Sequence, residues 1–231
     1  MGALYDKLNE DFRLEEALNA CMSCGVCTAI CPAAEFYHYD PRAICTIVQS
    51  QDDVEIEKLL KSDTIWYCGQ CMSCKTRCPR GNAPGIVISV LRTYAQKMGY
   101  FVESEKGRQQ YAIEQTVGQN ILKRGYCVHP DIVTVDKHPE QGPVWEWYME
   151  HIAEVSPRFG AKYHQRGAGA IRDIAEDDLK EMKAIFDVTG GSELYRQIEE
   201  QSAKYAEEHN LPFDENYMQK VFTEDSGCHS L

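Results

Sequence analysis

The sequence contains no long apolar stretch. Its longest apolar runs, such as residues 85–91, are far shorter than the roughly 20 residues that a membrane-spanning helix needs. The first eleven residues hold three carboxylates and no apolar run, which predicts neither a secretory nor a twin-arginine signal. We therefore expect a cytoplasmic protein with no direct membrane insertion, in a compartment where thiols stay reduced.

Positive charge is also scarce. The chain has 24 Lys and Arg residues against 36 Asp and Glu residues, so its formal net charge is −12. A general nucleic-acid surface would be basic, and we therefore expect no nucleic-acid partner. Most of the excess acidity lies in the second half of the chain.

The signatures of nucleotide, flavin and hydrolase sites are missing. Residues 167–172 begin like a G-x-G turn but end in Arg172, where the dinucleotide fingerprint needs Gly or Ala. The sequence has no Walker A motif, no G-x-S-x-G motif, no adjacent pair of cysteines and no histidine pair of the kind that binds a catalytic metal. We expect no complete catalytic site in this chain.

Cysteine, in contrast, is abundant, and eight of the 11 cysteines form two copies of one pattern. The pattern is Cys-x2-Cys-x2-Cys-x3-Cys-Pro, which is the ligand run of [4Fe–4S] clusters. The first three thiolates bind one cube, whereas the fourth points away and binds the partner cluster in two-cluster ferredoxins. We therefore predict two [4Fe–4S] clusters, the first held by Cys21, Cys24, Cys27 and Cys78, the second by Cys68, Cys71, Cys74 and Cys31.

Zinc binding and disulfide formation are two other uses of cysteines at short spacing. Zinc bound by four thiolates does not need consecutive x2 spacings followed by x3-Cys-Pro, and here that whole string occurs twice. Structural disulfides are rare in a reducing compartment. Of the remaining cysteines, Cys45 is predicted to be a small core residue, while Cys127 and Cys228 each lie near a histidine and are either packed thiols or reactive ones.

Helical patterns surround both cysteine motifs. The apolar spacing predicts helices over residues 4–20, from Pro41 to about residue 50, from Asp52 onward, over residues 87–98 and over residues 106–123. Asp40-Pro41 has the form of an N-cap followed by a first helical residue. These elements predict an all-α ferredoxin domain with internal two-fold repetition over residues 1–123.

Residues 124–231 are expected to form a C-terminal extension that docks other subunits. Residues 124–170 are rich in Gly, Pro, His and aromatic residues without a clear period, which predicts irregular structure laid over its own domain or over a partner. A helix is predicted from Asp177 to Gly190, and a second one, capped by Ser192, to about His209. Residues 225–231 are expected to be a loose terminus.

Two clusters without a substrate site indicate an electron relay. Residues 21–32, the segment Asp40-Pro41-Arg42 and residues 62–81 resemble the C subunit of heterodisulfide reductase, over about the first half of the chain. The resemblance implies an α-helical ferredoxin that transfers electrons between the flavin-containing A subunit of such a complex and its cysteine-rich catalytic B subunit. It also implies membership of an oxidoreductase complex that acts on sulfur groups.

The length of the extension is similar to that of the C subunits in the heterodisulfide reductase-like complexes of sulfur-oxidising bacteria. That resemblance implies cytoplasmic sulfur oxidation and an indirect link to a lipoate-binding protein. The alternatives are a subunit of a methanogen-type heterodisulfide reductase and the iron–sulfur subunit of a membrane respiratory dehydrogenase, which uses the same helical ferredoxin. A non-enzymatic redox sensor is a further alternative, although no recognition module is visible.

Overall fold

The computed structural model describes residues 2–135, 138 and 141–223. Within these residues the chain forms helices and loops but no β-strand, so the all-α prediction is confirmed. The first ten α-helices are α1 (Ala3–Asn9), α2 (Phe12–Ala17), α3 (Val26–Ala29), α4 (Ala33–Phe36), α5 (Pro41–Ser50), α6 (Asp53–Leu60), α7 (Ser73–Arg77), α8 (Pro84–Lys97), α9 (Glu105–Ile113) and α10 (Gln119–Arg124).

The last part of the chain adds five more α-helices, and short helical turns of other types join several elements. The 3-10 turns are Asp63–Trp66, Tyr100–Glu103 and Ser156–Phe159, and a π-helical turn spans Glu114–Gly118. The α-helices are α11 (Gly142–Glu150), α12 (Ile152–Val155), α13 (Glu176–Thr189), α14 (Gly191–Glu208) and α15 (Glu215–Thr223).

Aspartate caps fix where several N-terminal helices begin. The Asp40 carboxylate accepts hydrogen bonds from the backbone N–H groups of Arg42 and Ala43 at 2.9 and 3.1 Å, which confirms the predicted start of α5. Asp52 caps α6 in the same way. The single helix predicted over residues 4–20 is wrong, because Asp11 stops α1 and caps a new helix, α2.

Helix α8 lies at the centre of the N-terminal part and packs against α2, α5, α6, α7 and α14. Four of its large aliphatic side chains have no solvent exposure. Full burial of each such side chain contributes roughly 1.5–3 kcal/mol relative to exposure. The helix therefore anchors both cysteine motifs to one core. The four residues are Val87, Ile88, Val90 and Leu91.

The helix predicted over residues 106–123 is interrupted by the π-helical turn between α9 and α10. Gly118 lies at the end of this turn, where an added Cβ would come within 2.7 Å of the Tyr195 hydroxyl oxygen. A side chain at this position would push Tyr195 and α14 away. The glycine therefore permits the close approach of α14 to the ferredoxin helices.

Residues 124–170 are more regular than expected. Helices α11 and α12 lie in this range, and the Trp145 indole N–H donates a 2.5 Å hydrogen bond to the Val133 carbonyl. The Ser192 cap is also wrong, because Gly190, with a φ of 85°, both ends α13 and precedes the first residue of α14. Helix α15 was not predicted. The predicted loose terminus, residues 225–231, lies outside the described residues.

The last two helices contribute to the same core as the ferredoxin helices. Ile198 and Ala206 of α14, with Tyr217 and Val221 of α15, are buried in the cluster that contains the α8 side chains. Helix α15 packs on α9, and α14 packs on α8. The domain boundary after residue 123 stays a prediction. No helix in the described part of the chain is long and apolar enough to cross a membrane.

Candidate metal centre

The two cysteine motifs adopt one backbone conformation. Ser23 and Gly25 in the first motif have φ values of 55° and 78°, and the corresponding Gln70 and Met72 in the second have values of 52° and 59°. A left-handed conformation costs a non-glycine residue roughly 1–2 kcal/mol. The left-handed positions are the same in both motifs, which is typical of a loop shaped around a ligand.

Each motif runs from this loop directly into a short helix. The third cysteine of each run lies in that helix, Cys27 in α3 and Cys74 in α7. The fourth cysteine follows the helix, at Cys31 and Cys78, and α3 packs against α7. The two halves therefore face each other across a pseudo-two-fold arrangement.

The first of two similar cavities lies at the first motif. It is lined by four of the predicted ligands together with Cys45. Three of these predicted ligands belong to the first motif and one to the second, and they are Cys21, Cys24, Cys27 and Cys78.

The second cavity shows the reverse combination of cysteines. Three of its cysteines belong to the second motif and one to the first. The structure thus brings the eight predicted residues into the two groups expected from the sequence. The cysteines that line the second cavity are Cys31, Cys68, Cys71 and Cys74.

The protonation of these thiols follows their burial. Burial raises the pKa of Cys27 and of Cys74, whereas a hydrogen bond with the Ser73 hydroxyl lowers the pKa of the exposed Cys71. A metal binds the thiolate form, so loading the site releases protons and is favoured at higher pH.

In each motif, a long side chain from another helix forms hydrogen bonds with the backbone of the first cysteine. The Gln49 side-chain amide accepts a 2.5 Å hydrogen bond from the Cys21 N–H and donates a 3.3 Å one to the Cys21 carbonyl. The Arg92 guanidinium donates a 2.7 Å hydrogen bond to the Cys68 carbonyl. Sequence reasoning missed both residues, since their contacts reach across more than 20 positions of the chain.

Tyr39 at the second cavity is a further residue that the sequence did not indicate. It is 4% exposed, and its hydroxyl has no nitrogen or oxygen partner among the described residues but lies beside the Cys68 sulfur. Burial raises the pKa of this phenol, and the charge of Cys68, together with a hydrogen bond to its sulfur, raises it further. A buried hydroxyl needs an acceptor, and the sulfur of a cluster ligand in this cavity would accept its hydrogen bond. The residues present therefore fit a [4Fe–4S] cluster.

The remaining cysteines fall into separate environments. Cys45 is 1% exposed, as predicted for a small core residue, and it forms part of the wall of the first cavity. Cys127 is exposed. Cys228 lies outside the described residues.

Two cysteine-lined cavities on an all-helical scaffold define an α-helical iron–sulfur protein of the electron-transfer class. The profile of the 4Fe-4S dicluster domain family matches residues 14–82. Both the cysteine motifs and α5, α6 and α7 lie within that match.

Comparison with curated relatives identifies the family of the chain more specifically. It is 31% identical over 189 residues, 81% of this chain and 69% of the relative, to the C subunit of the Ferredoxin:CoB-CoM heterodisulfide reductase of Methanosarcina acetivorans. It is 33% identical over 154 residues, 64% of this chain and 74% of the relative, to the second iron–sulfur C subunit of the CoB–CoM heterodisulfide reductase of Methanocaldococcus jannaschii. The chain belongs to the family of heterodisulfide reductase C subunits, whose members are iron–sulfur subunits of an oxidoreductase.

Proposed function

We propose that this chain holds two [4Fe–4S] clusters with exchanged fourth ligands and relays electrons within a heterodisulfide reductase-type complex. The observation that carries the proposal is the pair of matched cavities, each lined by three cysteines of one motif and the fourth cysteine of the other. Cys31 and Cys78 are the exchanged ligands. Each cluster supplies one-electron chemistry, and the chain positions and encloses it.

The exposure of the ligands supports a relay with two ends. Cys24 at the first cavity and Cys71 at the second are exposed, while the other six predicted ligands are half-buried. Each cluster therefore has one edge close to solvent, where a partner can approach. The proposed partners are the flavin-containing A subunit of the complex and its cysteine-rich catalytic B subunit, assembled in the cytoplasm.

The C-terminal extension, residues 124–231, is the proposed docking region. Its helix α11 and the 3-10 turn after α12 expose large apolar side chains, with Val144 77%, Trp147 52% and Phe159 78% exposed. Exposed aromatic side chains are common anchors in interfaces. Helices α14 and α15 are less suited to this role, because they bury their apolar faces in the ferredoxin core.

A sulfur–sulfur group handled by the catalytic subunit is the proposed substrate class. The names of the relatives given above identify a CoB–CoM heterodisulfide as the substrate of their complexes. Sulfane-sulfur oxidation, with a lipoate-binding protein linked indirectly, is the expectation from the length of the extension. The alignment with the Methanosarcina acetivorans relative covers 189 residues and so reaches into the extension, which means that the extension does not separate the two reactions.

Anaerobic purification of the native complex tests the proposal. We expect about eight iron and eight sulfide per copy of this chain, together with two co-purifying partners, one that contains flavin and one that contains adjacent cysteines. The same preparation is then assayed with the heterodisulfide and with a sulfane-sulfur donor. Zinc in place of iron would contradict the relay, and a membrane anchor as the main partner would favour the respiratory dehydrogenase.

A further inference from the structure

The two halves of the ferredoxin part correspond residue by residue around the cavities. Helices α5 and α8 both begin with a proline, at Pro41 and Pro84. Gln49 and Arg92 are each the ninth residue of their helix, and each holds the first cysteine of its own motif. The same structural position is therefore neutral in one half and cationic in the other.

Arg92 is the more deeply placed of the two. Its guanidinium donates to the carbonyls of Ile65, Trp66 and Cys68 at 2.7, 2.8 and 2.7 Å, and it lies 5.5 Å from the centre of the Trp66 ring. The side chain is half-buried, whereas Gln49 is exposed. A charge that is partly shielded from water acts more strongly on its surroundings than an exposed one.

A second difference lies two residues before each proline. Asn82 lines the first cavity, and its side-chain oxygen already accepts a 2.6 Å hydrogen bond from the Asn19 N–H. Tyr39 occupies the corresponding position at the second cavity, where its hydroxyl lies beside the sulfur of the predicted ligand Cys68. The second cavity therefore has an O–H donor next to a ligand sulfur, which the first cavity lacks at this position.

The first cavity has cations of its own, but they face water. Arg42 and Arg80 line it. The Arg42 side chain is 40% exposed and pairs with Asp40 at 2.7 Å, and Arg80 is exposed. Exposed charges are screened by solvent and salt, and a paired carboxylate cancels most of the remaining field.

We propose that Arg92 and Tyr39 give the cluster at Cys68 a higher reduction potential than the cluster at Cys21, so that electrons pass from the Cys21 side to the Cys68 side. The inference rests on the proposed function, since it assumes two clusters. A cluster becomes more negative on reduction, and a nearby cation and an O–H donor to sulfur stabilise that state. In the transfer one cluster loses one electron and the other gains it, and no covalent bond changes.

Potentiometric titration of the full-length, anaerobically purified protein, followed by electron paramagnetic resonance, tests this inference. The wild type should show two one-electron steps. Tyr39→Phe and Arg92→Gln should each move only the upper step to lower potential, and Arg92→Gln should change the reduction equilibrium about tenfold, equivalent to about 59 mV. Tyr39→Phe removes only a hydroxyl and keeps the buried ring, so it tests the idea even if Arg92→Gln folds poorly.

A reciprocal variant and a control variant test whether the shift in potential is specific to position 92. Gln49→Arg should raise the lower step, by less than Arg92→Gln lowers the upper one, because position 49 is exposed. Arg108→Gln is the matched control, since Arg108 is also half-buried, donates to the Val102 carbonyl at 3.0 Å and lies 5.2 Å from the Tyr205 ring. Its hydrogen bond goes to Val102, whereas that of Arg92 goes to the predicted ligand Cys68, so Arg108→Gln should leave both steps unchanged.

The outcomes separate the two proposals. A wild-type protein without two cluster signals would overturn the proposed function itself. Two signals of which the lower one moves in Tyr39→Phe and Arg92→Gln would show that the Cys68 cluster has the lower potential and overturn the inference. Two signals that neither variant moves, or that Arg108→Gln moves equally, would also overturn it.

Discussion

Replacing Cys78 by serine tests the ligand exchange most directly. Cys78 belongs to the second motif in the sequence, yet it lines the cavity of the first motif with Cys21, Cys24 and Cys27. If this thiol is the fourth ligand of the first cluster, Cys78→Ser should remove or degrade that cluster and leave the Cys68 cluster in place. The iron content should fall from about eight per chain to about four if the cluster is lost completely.

The loss of iron and of melting temperature in Cys78→Ser is compared with the effect of replacing Cys45, a neighbouring cysteine that is not a predicted ligand. Cys45 lines the same cavity and is 1% exposed, so Cys45→Ala removes a buried sulfur and leaves a small void. A void of this kind costs about 1 kcal/mol, or roughly 2–4 °C in melting temperature for a chain of this size. Its iron content should stay at the wild-type value, whereas Cys78→Ser should lower both iron content and melting temperature because metal binding and folding are coupled.

Two assays decide the result. Iron and sulfide are counted on anaerobically purified protein, and the surviving cluster signal is compared with the one that Arg92→Gln shifts. We expect Cys78→Ser to retain the signal that responds to Arg92→Gln. Full iron content in Cys78→Ser, or loss of the Arg92-responsive signal instead, would refute the exchanged-ligand arrangement.

Three further predictions concern stability and assembly. Burial, helped by the charge of Glu199, raises the pKa of Glu114, so the folded state holds its proton more tightly and stability should fall as pH rises from the ordinary glutamate pKa through the raised one. In Glu114→Gln the urea-denaturation midpoint should depend less on pH over that window than it does in the wild type. Parallel plots of midpoint against pH for the two proteins would contradict this. Gly118→Ala should destabilise the protein by about 1–3 kcal/mol through overpacking against Tyr195, as measured by urea denaturation, whereas an unchanged midpoint would mean that α14 adjusts freely. Trp147→Ser should keep iron content and melting temperature but weaken co-purification of partner subunits, and intact assembly would remove α11 from the docking region.

The start of α5 and the cysteine runs were predictable because they are local. Asp40 caps its helix with its own side chain two and three residues away, so the signal lies in adjacent letters. The cysteine spacing likewise reflects one short loop, repeated with the same left-handed positions in both motifs. The break between α1 and α2 was missed although Asp11 is a local cap, because the apolar spacing continues across it.

Helices α13 and α14 were predicted from the sequence, whereas α15 was not, for a different reason. Helix α15 buries Tyr217 and Val221 against α9, so its stability depends on a surface about 100 residues earlier in the chain. A short helix of this kind is marginal by itself and gains its order from packing. The local signal at its start was missed: the Asp214 carboxylate accepts hydrogen bonds from the backbone N–H groups of Asn216 and Tyr217 at 2.8 and 3.3 Å.

The sequence by itself determined the chemistry of this protein. Eight cysteines in two identical runs predict iron–sulfur ligation, because the spacing alone sets how many thiolates one tight loop can present to a metal. The tertiary structure alone decided what surrounds those thiolates. Folding of distant segments places Tyr39 in the wall of the second cavity and Arg92 on the Cys68 carbonyl, and it places Asn82 and Gln49 in the matching positions at the first motif. Electrostatic surroundings depend on distance in space rather than along the chain, so the asymmetry between the two halves exists only in the folded molecule.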